Sequence, residues 1–337
     1  MNRDMYTWAQ HQCNDAEKYA IPVLAFPGIK FTGKTVAEAV QSAEDLSDIM
    51  AAVAQRTKAS ASVSVMDLSV EAEAFGAPVK LREWEIPQQL DVVVRTQEDA
   101  DALAIPEIGS ARTGIFIDAI NKATRKITDR PIFGGFLGTF SLAGNLMEMT
   151  DIMKAVRKNP KLLHTVMEKI TEFHIEYCRA YKKAGADGML IAEPLAGLLS
   201  PAQSEEFSCR YLKRLVKELQ TDDFIFIYHN CGNATIPMVN ELLDIGCPGY
   251  HFGNAINMKD MLKVFPSDVC CMGNVDPTNY FVLGQPEDIY TNTMNLMKEC
   301  CPTYRNFVIS SGCDIPVAAK WENVEAFFKA VDDYYGR

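Results

Sequence analysis

Residues 187–193 read D-G-M-L-I-A-E: a short apolar run between an acid and a glycine on one side and an acid on the other. Four apolar residues are too few for a helix, so the run reads as a buried strand. Upstream lies a helical pattern from about residue 150 to 183. Its Leu162, Leu163, Val166, Met167, Ile170, Phe173 and Tyr177 recur at three- and four-residue steps. Before that, P-I-F-G-G-F-L-G (131–138) reads as another strand.

The alternation continues downstream. A helix over about 202–219 leads to F-I-F-I-Y-H-N-C (224–231), followed by a helix starting near residue 236. P-G-Y-H-F-G then precedes a short helix near 258, V-C-C-M-G-N precedes one over 287–300, and F-V-I-S-S-G-C precedes one over 322–335. Two earlier β-like runs end at Asp67 (A-S-V-S-V-M-D) and at Arg95 (L-D-V-V-V-R). Thr35 and Glu38 have capping-box spacing before an amphipathic helix that reaches about Lys58. Short apolar strands alternating with helices call for a parallel sheet covered by helices. A count of about eight closes a (β/α)8 TIM barrel. A doubly wound open sheet competes, but no G-x-G-x-x-G follows the first strand. No Pro/Gly/Ser-rich linker divides the chain, so residues 1–337 are expected to form a single barrel domain with an N-terminal helical extension.

The chain of 337 residues carries a net charge of −11 without a Lys/Arg cluster, which argues against nucleic acid and anionic membranes as partners. No apolar run approaches the roughly eighteen residues of a membrane span. The N-terminus has no signal-peptide pattern. The ten cysteines are therefore expected as thiols in a reducing cytoplasm.

In a parallel barrel the reacting groups sit where strands end. The strand ends here hold Asp67, Glu193, His229 with Cys231, His251, Asn274 with Asp276, and Cys313. His229 and Cys231, two residues apart on an extended chain, point to the same face. Cys313 lies 82 positions beyond Cys231 and meets it only if the barrel closes. Imidazole with two thiolates is a zinc donor set that leaves one position open. The same residues also serve as plain packing on a buried strand, and the pattern leaves both readings standing.

The motifs V-M-D-L-S-V-E-A-E-A-F-G (65–76), G-G-F-L-G-T-F-S-L-A-G (134–144), A-G-A-D-G-M-L-I-A-E-P (184–194), H-N-C-G (229–232), G-N-V-D-P (273–277) and S-S-G-C-D-I-P (310–316) cover most of the chain. They resemble the uroporphyrinogen decarboxylase superfamily, and within it the corrinoid-dependent methyltransferase branch. The resemblance implies zinc on His229, Cys231 and Cys313. It also implies a methyl-corrinoid co-substrate on a separate corrinoid protein and a small thiol such as coenzyme M as acceptor. Asp67 matches an acidic position that engages the tetrapyrrole in the decarboxylases, and is expected to orient substrate or a zinc ligand or to cap a helix. Glu193 reads either as the partner behind a zinc histidine or as a solvated loop acid, and His251 as a fourth ligand, a substrate contact or a hydrogen-bonded core histidine. Gly134 and Gly135 either approach the cofactor or serve close packing at the barrel mouth; Asn274 is a further cofactor-binding candidate, though it and Asp276 also suit a structural role in shaping a loop. A sulfonate would want a cation, for which Lys30, Arg112 and Lys320 are the candidates. The decarboxylases' Arg-rich R-Q-A-G-R motif is missing: the corresponding V-L-A-F-P-G-I-K (23–30) has no arginine. Cys313 stands where those enzymes have a late histidine. A decarboxylase-like lyase and a non-catalytic, zinc-stapled barrel that docks a corrinoid protein are the alternatives. His174, on the apolar stripe of its helix, is expected in the core, and His164 in solvent.

Overall fold

The computed structural model describes residues 3–337. Its centre is a seven-stranded parallel sheet. The strands, each adjacent to the next in sequence, are β1 (Ser62–Val63), β2 (Ile132–Leu137), β3 (Gly188–Ala192), β4 (Ile225–Asn230), β5 (Gly249–Phe252), β6 (Cys270–Val275) and β7 (Phe307–Ser311). The two edges are joined through the extended segment 20–25. Ile21 N donates to Ile309 O at 3.1 Å on the β7 side, and Ser60 N donates to Ala20 O at 2.9 Å on the β1 side. This closes a (β/α)8 barrel with segment 20–25 in the eighth place.

The run ending at Arg95 was expected to hold that place, and it does not. Val93 N and Val94 N both bond to Leu146 O, at 3.0 and 2.9 Å, at the end of the helix Thr139–Met147. Together with the antiparallel hairpin of Val79–Lys80 and Gln88–Gln89, this stretch overhangs the barrel mouth. Three consecutive valines mimic a buried strand, whereas Pro22 disguises the true one by breaking the apolar run.

Two apolar clusters follow from strand alternation. Phe133, Leu190, Ile225, Ile227, Cys270, Met272 and Val308 fill the barrel lumen. The helix Met5–Asn14 adds Met5, Ala9 and Cys13 to the same cluster. Out-of-phase neighbours such as Ile191, Phe226, Tyr228 and Ile309 join the sheet–helix layer. The pattern over 150–183 is two helices, Met149–Lys158 and Pro160–Ala184. Pro160 begins the second, and Asn159 caps it by accepting from Leu162 N at 3.3 Å. Helix 202–219 is likewise interrupted, by a π-turn over Glu205–Cys209. Thr35 and Glu38 form their capping box on a four-residue turn, and Ser42 caps the following helix Ala43–Arg56. Among the described residues no helix is long and apolar enough to cross a membrane.

Candidate metal centre

On β4, Ile225, Ile227 and His229 share the inward phase, and the next inward position is Cys231, one residue past the strand. Cys313 arrives on the loop after β7. The donor atoms of His229, Cys231 and Cys313 all lie within 4.8 Å of one another. His229 Nε2 is 3.4 Å from Cys313 Sγ. Donors bonded tetrahedrally to one ion at about 2.0–2.3 Å are spaced by roughly this much. All ten cysteines are free thiols. The two at the site act on each other: Cys313 pushes the Cys231 thiol up to about 12, and Cys231 draws the Cys313 thiol below the ordinary value.

Gly253 makes room for Cys231. A Cβ there would lie 2.5 Å from Cys231 Cα and 2.6 Å from its Cβ. Gly232 packs as tightly on Gly197, where a Cβ would come within 2.5 Å of the other glycine's Cα. Asn230 steadies the turn by accepting from Gly232 N at 2.8 Å.

Behind His229 runs a chain of hydrogen bonds whose directions are fixed at both ends. His229 Nδ1 lies 3.3 Å from His251 O, a carbonyl that can only accept, and 2.7 Å from His251 Nδ1. Nδ1 therefore carries the hydrogen, and the Nε2 lone pair faces Cys313. His251 Nδ1 accepts, so its Nε2–H donates to Ser310 Oγ at 2.7 Å, and Ser310 donates to Ile21 O at 2.7 Å. Burial, followed by the neighbouring His229, holds His251 well below the usual histidine value, which keeps it neutral. His251 thus stands behind His229, on its far side from Cys313. Ser310 was not singled out from sequence. Its signal was inward phase with Val308, three residues before the strand-end cysteine.

The other expected site residues lie elsewhere. Glu193 is out of phase with Leu190 and Ala192, so it turns into the helix layer rather than toward His229. Its Oε1 accepts from Ser141 N and Ser141 Oγ, both at 2.7 Å, at the N-terminus of the helix Thr139–Met147. Burial raises its carboxyl to about 7. Asp67 is closed off by an ion pair with Arg112 and by Ser69, whose N and Oγ donate to it at 3.0 and 2.6 Å. Asn274 Nδ2 donates to Gly253 O and Ile256 O, each at 3.0 Å, tying two loops together. Asp276 accepts from Thr278 N and Asn279 N. A Cβ on Gly134 would strike Tyr181 in the helix layer at 2.6 Å, and one on Gly135 would strike Met66 Sδ at 1.8 Å. Both glycines are needed for packing at those positions. His174 is fully buried. His164 is not free in solvent: its Nδ1 bonds Tyr211 OH at 2.6 Å and its Nε2 bonds Glu206 at 3.2 Å.

The triad lines a cavity of about 1030 Å³ at the barrel mouth, roofed by residues 86–95 and the ends of the helices around 141–151. With this geometry in view, the family model for uroporphyrinogen decarboxylase (URO-D) matches residues 24–334. The chain belongs to the uroporphyrinogen decarboxylase family. Within that family its relatives are enzymes of two kinds. A uroporphyrinogen decarboxylase of Chlorobium phaeobacteroides is 28% identical over 249 residues, covering 71% of this chain and 69% of the relative. The methylcobamide:CoM methyltransferase MtbA of Methanosarcina acetivorans is 24% identical over 282 residues, covering 80% and 78%. A solved methyltransferase from Methanosarcina mazei shares the fold, with a TM-score of 0.85, 23% identity, and coverage of 97% and 99% of the two chains.

Proposed function

We propose that this family member is a zinc-dependent methyltransferase that moves a methyl group between a methyl-corrinoid on a partner protein and a thiol. The observation that carries this reading is the convergence of His229, Cys231 and Cys313 beside an open cavity, with a fixed tautomer behind the histidine. One imidazole and two thiolates suit zinc, and three protein donors beside a cavity leave room for a substrate. Zinc held there lowers the pKa of a substrate thiol so that it stays an anion near neutral pH. Cys231 and Cys313 would both hold zinc as thiolates, each giving up its own proton on binding. Their two negative charges keep the centre electron-rich and a substrate sulfur nucleophilic. His251 and Ser310 hold His229 in the ligating tautomer. The cavity walls orient the thiol and exclude water, so positioning contributes much of the rate.

The lyase reading suits the site less well. A substrate bearing many carboxylates needs cations, and among the described residues lining the cavity the one Lys or Arg is Arg95, already paired with Asp91. A structural zinc staple would have a closed, four-ligand site, whereas these donors face a cavity. A reducing, cytoplasmic setting, in which the ten thiols stay free, belongs to the same proposal. The test is thiol-dependent demethylation of methylcobalamin by the zinc-loaded protein. The reading expects turnover that Cys313→Ser reduces by about a hundredfold or more. No turnover with any thiol or with the protein-bound corrinoid would contradict it.

A further inference from the structure

The cavity's chemistry narrows the substrate. Its walls are apolar: Met66, Leu68, Leu137, Leu190, Leu195 and Leu198 all line it. Its charged lining is mostly acidic, with Asp91, Glu148 and Asp151 around the mouth. Arg95 donates to Asp91 in an ion pair and to Val92 O at 3.2 Å, so its guanidinium is engaged on the protein. The three cations that the sequence offered for an anionic tail do not line the cavity. Arg112 is buried among Asp67, Glu73 and Ser69. Lys30 Nζ donates to Ala319 O at 3.3 Å, and Lys320 Nζ donates to Gly284 O at 3.0 Å.

We infer that the thiol taken by this site carries no sulfonate or carboxylate: it is an uncharged thiol with an apolar body. An anionic tail entering here would lose its hydration against leucine and methionine walls and meet carboxylates without a free cation to pair with. An apolar body instead gains by leaving water. This inference rests on the zinc–thiol reading above and departs from the acceptor named in the methyltransferase relatives.

The experiment loads the full chain with cobalt(II) and titrates two thiols, phenylmethanethiol and 2-mercaptoethanesulfonate, at equal thiolate concentration. The sulfur-to-cobalt absorption band reports each binding event without turnover. Phenylmethanethiol is expected to bind at least about tenfold more tightly. Leu198→Arg, at a half-exposed wall position that tolerates a long side chain, is expected to shrink that ratio by improving sulfonate binding. Equal or tighter binding of the sulfonate by the unmodified protein overturns the inference and leaves the zinc–thiol reading standing. A correctly folded protein that takes up no cobalt overturns that reading, and the inference with it.

Discussion

Around the barrel lie two sets of buried polar groups, one inside the lumen and one outside it, and they behave differently. Inside the lumen, His229, His251 and Ser310 are bonded to one another in a line that ends at the metal donors. Outside it, in the helix layer, Glu193 and Glu71 each bond the backbone of a neighbouring element: Glu193 takes Ser141 N, and Glu71 takes Leu137 N at 3.2 Å. Each leaves its second oxygen unpaired. All five groups are buried, so burial alone does not mark function. On β4, β5 and β7 strand phase does: the polar groups in register with the lumen's Ile225, Ile227 and Val308 are those that line up behind Cys313.

The comparison is most exposed to substitutions at the lumen end. His229→Ala is expected to drop zinc from about one per chain to near none after chelator washing, with the far-ultraviolet circular dichroism spectrum retained. If zinc were retained, the lumen set would not be a metal site. Gly253→Ala comes next. The added methyl must displace Cys231, so zinc affinity is expected to fall by an order of magnitude or more, as measured by competition with a chromophoric chelator.

Ser310→Ala releases the far end of the relay and leaves Ile21 O without its donor. Zinc affinity is expected to weaken by about 10-fold, within the range seen for outer-shell partners, with Ser310→Thr restoring most of it. No change in affinity would mean that His229 keeps its tautomer through His251 O alone.

The helix-layer acids should leave zinc untouched and instead shape the pH dependence of stability. Burial raises Glu193 from 4.5 to about 7 and Glu71 from 4.5 to about 8. A carboxyl whose folded value is raised holds its proton longer in the native state. Stability is therefore greatest below the unfolded value near 4.5 and declines as pH rises toward the folded value, then levels off. Glu193→Gln and Glu71→Gln are expected to flatten that decline, each by at most about 1.4 kcal/mol per pH unit, in urea melts across this range. A zinc affinity altered in Glu193→Gln would link the two polar sets and break the comparison.

Sequence made the barrel and the convergence of His229, Cys231 and Cys313 legible for the same reason: strands too short to be helices, several of them ending in a reactive residue. The alternation that marks D-G-M-L-I-A-E as a strand also assigns Glu193 to the outer face, because it falls out of step with Leu190 and Ala192. Reading strand-end position without that parity set Glu193 beside His229. Asp67 and Gly134 misled similarly, since acids and glycines near a barrel mouth serve ion pairs and close packing as readily as substrates. Other features depended on contacts between distant segments. Segment 20–25 is a barrel element only through its bonds to residues 60 and 309, and the run 91–95 is a rim element through its bonds to residue 146. The relay from Ile21 to His229 crosses 208 positions of sequence, and no local pattern announces it.

The most direct test is the metal content of the purified, chelator-washed protein beside Cys231→Ser and Cys313→Ser. The account predicts about one zinc per chain in the unmodified protein and its loss in both variants, with the fold intact. A folded protein that holds no zinc even after supplementation, or variants that keep it fully, would contradict the assignment of His229, Cys231 and Cys313 as its ligands.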